Sequence, residues 1–453
     1  MMKKILRAMK TRIFPVETEE IAYRRRRRKA KRANVLKAFA SEEIHHQLTG
    51  KDLLCPDCQQ EMKEIGSCPV RQELLFIPAQ IKRLDHIQHA YKCQCCSLKN
   101  TSDKIVKAPV PKAPLAHSYG SASVIAHTIY QKYELKVPAY RQKNDWQKMG
   151  LPITRRDIIN WQIKSTEYYF KPLYQLLKKK LLEQKFLHAD ETTYRVLESK
   201  TQKTFYWTFL SDKQAEKPIT LYHHNPHRSG QVAIQFLGNY AGYLHCDMWQ
   251  AYGQLAQATL VGCWAHVRRK FFEAVPPKAS DKSISKQGVR YCNRMFALEK
   301  DWGNLSNEER LRLRRKKLAP LMREFFNWCR KQKTRTLPNS KLGKAIAYSL
   351  NHEETFKHVL LDGRLVLSNN LAERAIKSLV IGRKNWLFSQ SFNGAQSSAI
   401  ILSLIETAKR NGLDPEKYLV YLLSNLPNES TLTDKEALSA YLPWEKAAQA
   451  NCR

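Results

Sequence analysis

The sequence predicts an α/β protein, a mixed sheet covered by helices and interrupted by a helical insertion. Three observations carry that prediction. Short β-type runs recur at residues 186–190, 204–210, 219–223, 243–247 and 259–263. Helical stretches at about 230–236 and 264–274 lie between or after those runs. Polar, charged, helical sequence then fills 280–360 before the apolar pattern returns at Leu365. Strands that follow one another directly in one place and are separated by helices in another give a mixed sheet.

The elements follow in order along the chain. Residues 1–45 form a basic N-terminal arm, with 14 Lys or Arg against 3 Glu in the first 40 positions. Either a solvated tail or a phosphate contact suits that composition, and neither carries base-sequence information. Residues 46–105 form a cysteine-rich domain, and Pro109, Pro111 and Pro114 separate it from a helical region at 115–180. There one helix is expected at 123–133 and a second after Leu151-Pro152, with Thr154 as N-cap and Asp157 as the N3 acid of a capping box. Arg155 and Arg156 at that N-terminus suit DNA contact in a helix-turn-helix-like arrangement. The sheet runs occupy 183–275 and the helical insertion 276–360, whose densest basic stretch is 310–317. Residues 361–425 complete the α/β core with a helix at about 393–410 that ends in the C-cap signal Asn411-Gly412, and 426–453 form a tail.

Composition narrows the function classes. Among 453 residues, 77 Lys or Arg oppose 41 Asp or Glu, a formal net charge of +36. Self-repulsion on that scale favours a polyanionic partner, and double-stranded DNA is the first expected. A hydrophobic fraction of 43% excludes a disordered tail. No apolar run approaches the 18 or more residues that a membrane helix needs, so no membrane partner is expected. Six of the eleven Cys fall between Cys55 and Cys96, which reads as a metal site in a reducing, cytoplasmic compartment.

That site is specific in its spacing. Cys55 and Cys58 form one C-x-x-C, Cys93 and Cys96 a second, with 34 residues between them. Two such turns can close a four-sulfur structural zinc site. Cys95 could replace either neighbour, and Cys68 reads as a bystander. With four protein ligands there is no open position, so this zinc is not expected to be catalytic.

Acids inside so basic a chain are informative where they end apolar runs. Asp190 follows Phe186-Leu187-His188-Ala189, and Asp247 follows Tyr243-Leu244-His245-Cys246. Glu373 lies on a helix whose Leu371, Ala375, Ile376 and Leu379 face the sheet. Three such carboxylates can hold two hard divalent cations about 3.5–4 Å apart. The same residues also fit blander roles, as strand-end turn formers and a surface ion pair. His188 and His245 share the strand face of the acid that follows each, in a structural role. Cys263 and His266 form a C-x-x-H that lacks two further ligands for a second zinc. His266 is instead expected to position a phosphate or a water, with Arg268 and Arg269 beside it on the same helix. Trp386 suits either stacking on an unpaired base or burial in the core.

The blocks at 186–193 (FLHADETT), 243–253 (YLHCDMWQAYG), 263–272 (CWAHVRRKFF) and 362–391 (DGRLVLSNNLAERAIKSLVIGRKNWLFSQS) resemble the insertion-sequence-66 family of bacterial DDE transposases. The Cys cluster, Tyr140-Arg141 and Leu442-Pro443-Trp444 are similar to other blocks of that family, so the resemblance spans about residues 41–445. It implies a ribonuclease-H-like catalytic core with a helical insertion, and Asp190, Asp247 and Glu373 as its acid triad. It implies two Mg²⁺ (or Mn²⁺) ions for strand cleavage and strand transfer at terminal inverted repeats, without a covalent protein–DNA intermediate. Arg383 and Lys384 of the GRKNW block become candidates for phosphate contact. Implied partners are element ends and target DNA, further copies of the chain on that DNA, and small accessory transposition proteins, all at the nucleoid. Family members usually carry a longer N-terminal segment with coiled-coil character, and residues 1–23 show none. Two competing readings are a catalytically silent, zinc-containing DNA-binding protein derived from a transposase, and a structure-specific nuclease.

Overall fold

The computed structural model describes residues 43, 50, 55–61, 63, 65, 68, 79–92 and 105–453. Residues 1–42 of the basic arm lie outside the described residues, as do Cys93, Cys95 and Cys96. The chain divides into two compact units, Met1–Lys82 and Arg83–Arg453.

The second unit begins with a small antiparallel pair, β1 (Ala90–Lys92) and β2 (Ile105–Lys107). Three helices follow rather than two: α1 (Ala122–Tyr133), α2 (Ala139–Lys148) and α3 (Arg155–Ser165). The sequence hid α2 because its turns are almost wholly polar and only Gln142 and Trp146 are buried. The capping box that opens α3 is present, with Asp157 N donating to Thr154 Oγ1 at 3.2 Å and Thr154 N to Asp157 Oδ2 at 2.9 Å. A π-helical turn, Thr166–Phe170, carries α3 into α4 (Lys171–Leu182).

Five strands form the main sheet: β3 (Phe186–Arg195), β4 (Lys203–Ser211), β5 (Thr220–Asn225), β6 (Tyr243–Cys246) and β7 (Thr259–Gly262). Their spatial order is β5-β4-β3-β6-β7. The first three are antiparallel neighbours, whereas β6 runs parallel to both β3 and β7. The mixed sheet expected from the sequence is therefore present. β3 is its centre, and the pairing sense changes along its β6 edge. Residues Phe205 to Leu210 of β4 are an unbroken apolar and Thr run, as a strand covered on both faces requires.

Helices cover both faces. α5 (Gly230–Leu237) lays Phe236 flat on Phe209 of β4, ring centroids 4.0 Å apart. After β7, α6 (Trp264–Glu273) leads into the insertion, made of α7 (Ile284–Asp301), α8 (Asn307–Leu313), α9 (Ala319–Lys333), α10 (Lys341–Asn351) and α11 (Glu353–Lys357). Gly288 of α7 sits directly against the Phe271 ring of α6, where a Cβ would collide, so these helices approach closely. The chain then returns to the sheet through α12 (Asn370–Trp386) and α13 (Phe392–Arg410). α13 is buried along most of its length, its small Ser and Thr side chains included. It also closes the β5 edge, since Tyr222 N donates to Ser403 Oγ at 2.8 Å and Thr220 N to Thr407 Oγ1 at 3.1 Å. No helix among the described residues is long and apolar enough to cross a membrane.

Candidate metal and nucleic-acid site

Parallel pairing puts the C-terminal end of β6 beside the first half of β3, which runs on to Arg195. His188 is level with His245, so Asp190 and Asp247, each two residues further on, emerge at the same edge. This is the place in an open sheet where strand order reverses and ligands collect. The two imidazoles beneath them are buried and stacked, centroids 4.4 Å apart. Burial holds His245 well below its ordinary pKa, so it is neutral and stacks without charge.

Glu373 reaches this edge through Asn369, the fully buried residue before α12. Asn369 Nδ2 donates to Ala189 O at 2.8 Å, its Oδ1 meets His188 Nδ1 at 2.9 Å, and its backbone N–H donates to Cys263 Sγ at 3.1 Å. The start of α12 is thus clipped to β3 and to the end of β7, with Glu373 in its first turn. Asn369 is a residue the sequence reading missed; its position just before the NLAER helix was the available signal.

The electrostatics are those of an unbalanced acid cluster. Burial first, then Glu191, Asp247 and Glu373, push the Asp190 carboxyl up to about 8. Among the described residues, no cationic side chain pairs with Asp190 or Asp247; Asp190 Oδ1 accepts only from Glu191 N, at 2.9 Å. Asp247 Oδ1 accepts from Trp249 N at 2.9 Å, and its carbonyl accepts from Tyr348 Oη at 2.8 Å. A fourth acid, Glu191, was also missed. Its side chain is 2% exposed and accepts from Arg228 at 2.6 and 2.9 Å and from Tyr252 Oη at 2.7 Å. Burial and Asp247 still raise it. Its place beside Asp190 is visible in sequence, but its burial depends on residues 37 and 61 positions away.

On the other side, Arg269 Nη2 donates to both oxygens of Glu373 at 3.3 and 3.4 Å. His266 Nε2 lies 3.8 Å from Glu373 Oε1, while its Nδ1 is buried without a hydrogen-bond partner. Burial, then Arg269, lowers the His266 pKa. Cys263, His266 and Glu373 bring one donor atom each to within 4.8 Å of one another. The C-x-x-H therefore gains a third donor from 107 positions downstream, which spacing alone could not reveal.

The remaining candidates are dispersed. Arg155 and Arg156 are exposed at the start of α3, with Arg155 5.8 Å from the Tyr140 ring. Arg383 is half-buried and donates to Thr193 O and, at 3.2 Å, to Thr192 Oγ1, which ties α12 to β3; Lys384 is exposed. Trp386 is half-buried against Tyr133, 6.0 Å between centroids. In the first unit, Cys55 and Cys58 bracket a tight turn in which Gln59 N donates to Cys55 O at 2.9 Å. Backbone amides of Cys58 and Asp57 lower the Cys55 thiol pKa, which favours the thiolate that zinc requires.

Comparison with known proteins adds three family matches. Residues 117–397 match the transposase IS66 family, residues 52–97 the zinc-finger binding domain of transposase IS66, and residues 403–444 the IS66 C-terminal element. Among individual relatives, the uncharacterized protein y4hP of Sinorhizobium fredii (strain NBRC 101917 / NGR234) is 27% identical over 83% of this chain and 70% of its own length. From the same organism, the uncharacterized protein y4jD is 27% identical over 86% of this chain and 77% of its own. A third, y4qI, is 28% identical over 76% and 66% respectively.

Proposed function

The chain belongs to the IS66 transposase family and carries that family's zinc-finger domain, and on that premise we propose that it is a DDE transposase that cuts and joins DNA strands at element ends. The observation that carries this reading is the meeting of Asp190, Asp247 and Glu373 at one edge of the sheet, where their charges act on one another. The strand order, with β3 central and flanked by an antiparallel and a parallel neighbour, supports a ribonuclease-H-like core.

The residues fit hard divalent cations. They offer carboxylate oxygens, and a cation would offset the burial and the neighbouring acids that push the Asp190 carboxyl up to about 8. The nearby Cys263 sulfur is buried and already accepts the Asn369 amide, so the donors at hand are the carboxylate oxygens and the His266 imidazole. Asp190, Asp247 and Glu373 would hold two Mg²⁺ (or Mn²⁺), which supply Lewis-acid activation of nucleophile and leaving oxygen at phosphorus. Arg269 steadies Glu373 and, with His266 and Arg268, faces DNA phosphate at the same edge. Arg155, Arg156, Arg383 and Lys384 extend the cationic surface along which double-stranded DNA lies. Cys55, Cys58, Cys93 and Cys96 are, on this reading, the four ligands of a structural zinc.

The test is Mg²⁺-dependent nicking of DNA that bears the element's inverted ends, wild type against Asp190→Ala. Wild type cuts and the variant does not, while both bind. Equal binding without cutting by either protein establishes the silent DNA-binding reading instead. Cutting that ignores the ends and never joins strands establishes a structure-specific nuclease.

A further inference from the structure

Beside the acid cluster, a cavity of about 550 Å³ opens between α6, α7 and Asn370 at the start of α12. Arg268, Arg269, Lys300, Phe272 and Phe296 line it, and none of its nine lining residues is acidic. Arg269 belongs to both places, because the same guanidinium bonds to Glu373. Arg268 is held on the wall by its 2.7 Å bond from Nε to Asn293 Oδ1. Phe272 leaves 61% of its surface in water, off the buried Trp264, Val267 and Phe271 face of α6.

Three cations and two phenyl rings around a space of ligand size select an anion that carries a flat apolar body. A nucleotide is such a group, but within a duplex its base offers only an edge. Its π-face becomes available to an aromatic side chain once the base is unpaired. We propose that this cavity receives one unpaired nucleotide of the strand presented to Asp190, Asp247 and Glu373. The base lies against Phe272 and Phe296, and the phosphate among Arg268, Arg269 and Lys300. The proposal rests on the DNA-processing role given above and adds a substrate state to it, a frayed or extruded end rather than intact duplex.

The experiment uses the full chain without added Mg²⁺, so that nothing is cut. Its probes are a blunt duplex and the same duplex with a three-nucleotide overhang carrying 2-aminopurine. Stacking on an aromatic side chain is worth enough that the overhang duplex is expected to bind about tenfold more tightly than the blunt one. Its 2-aminopurine emission changes on binding. Phe272→Ala removes most of that preference and the emission change while leaving blunt-duplex affinity as in wild type; Phe272→Leu, which keeps an apolar side chain, behaves like Phe272→Ala. Equal affinity for the two probes, or a loss in Phe272→Ala that is the same for both, overturns the proposal. Nicking of the same DNA in Mg²⁺ separates the two readings. A chain that prefers the overhang but never cuts keeps the cavity's role and loses the reaction, and one that cuts without preference does the reverse.

Discussion

Arg314 in the insertion and Asp190 on the central strand are both ionisable groups withdrawn from water, yet only Arg314 is matched. Its side chain is fully buried, and two of its nitrogens donate to the two oxygens of Glu299 at 2.6 and 2.7 Å. The rest of the guanidinium is taken up by the carbonyls of Val359, Asp362, Gly363 and Leu365. Every donor therefore has an acceptor, and the bonds fasten α8 and α9 to the segment that leads into α12. Asp190 instead meets three further acids and one backbone amide. A balanced buried charge orders the chain around it. An unbalanced one is retained at a cost, and such sites attract a ligand of opposite charge.

The largest effect that would sharpen this contrast is catalytic. Glu373→Gln keeps the size of the side chain but removes one charge. It is expected to slow end cutting by about a thousandfold or more, roughly 4 kcal/mol of barrier, with DNA affinity changed far less. Gel assays of cutting and of binding on one DNA read both.

Next in size is the balanced site. Arg314→Met strands Glu299 without its partner and should lower unfolding free energy by about 3–5 kcal/mol, read as a shift in denaturant midpoint. A loss as small as that of an exposed ion pair would show that the guanidinium is not what fastens the insertion. Asn369→Ala joins the two regions, because it removes the bonds to Ala189 and His188. A stability loss of about 1–3 kcal/mol is expected, together with a fall in cutting that exceeds the fall in binding as Glu373 loses its anchor.

Much of this was legible in the sequence, and the reasons are local. Asp190 and Asp247 stood out because apolar runs stop at them, although β3 itself continues past Asp190 to Arg195, and Glu373 because its helix shows which side faces the sheet. The five strands were found for the same reason, although β6 and β7 end one residue sooner than expected, which leaves Asp247 and Cys263 just past the strand ends. What escaped depends on contacts between distant residues. Asn369 looks like any polar residue before a helix until Ala189, 180 positions earlier, supplies a carbonyl. α2 escaped because two buried side chains are too few to set a period.

The smallest effect is acid lability in β5. Burial holds His223 and His224 at about 4, below the ordinary 6.5, so both are neutral in the folded chain at neutral pH. As pH falls from about 6.5 toward 4, the unfolded chain takes up protons there that the folded chain does not, and stability declines across that window. Above it these two residues contribute no slope. Denaturant midpoints at about pH 5 and 7.5 should therefore differ more in wild type than in His224→Gln.

The most direct measurement is calorimetric titration of Mn²⁺ into the full, zinc-loaded chain, for wild type and for Asp190→Asn. Asp190 and Asp247, which no cationic side chain pairs with among the described residues, should bind the ion together with Glu373 in wild type, and the loss of one of them should abolish or greatly weaken that binding while the fold, read by circular dichroism, is kept. Equal Mn²⁺ binding by the two proteins, or none by either, would contradict the account.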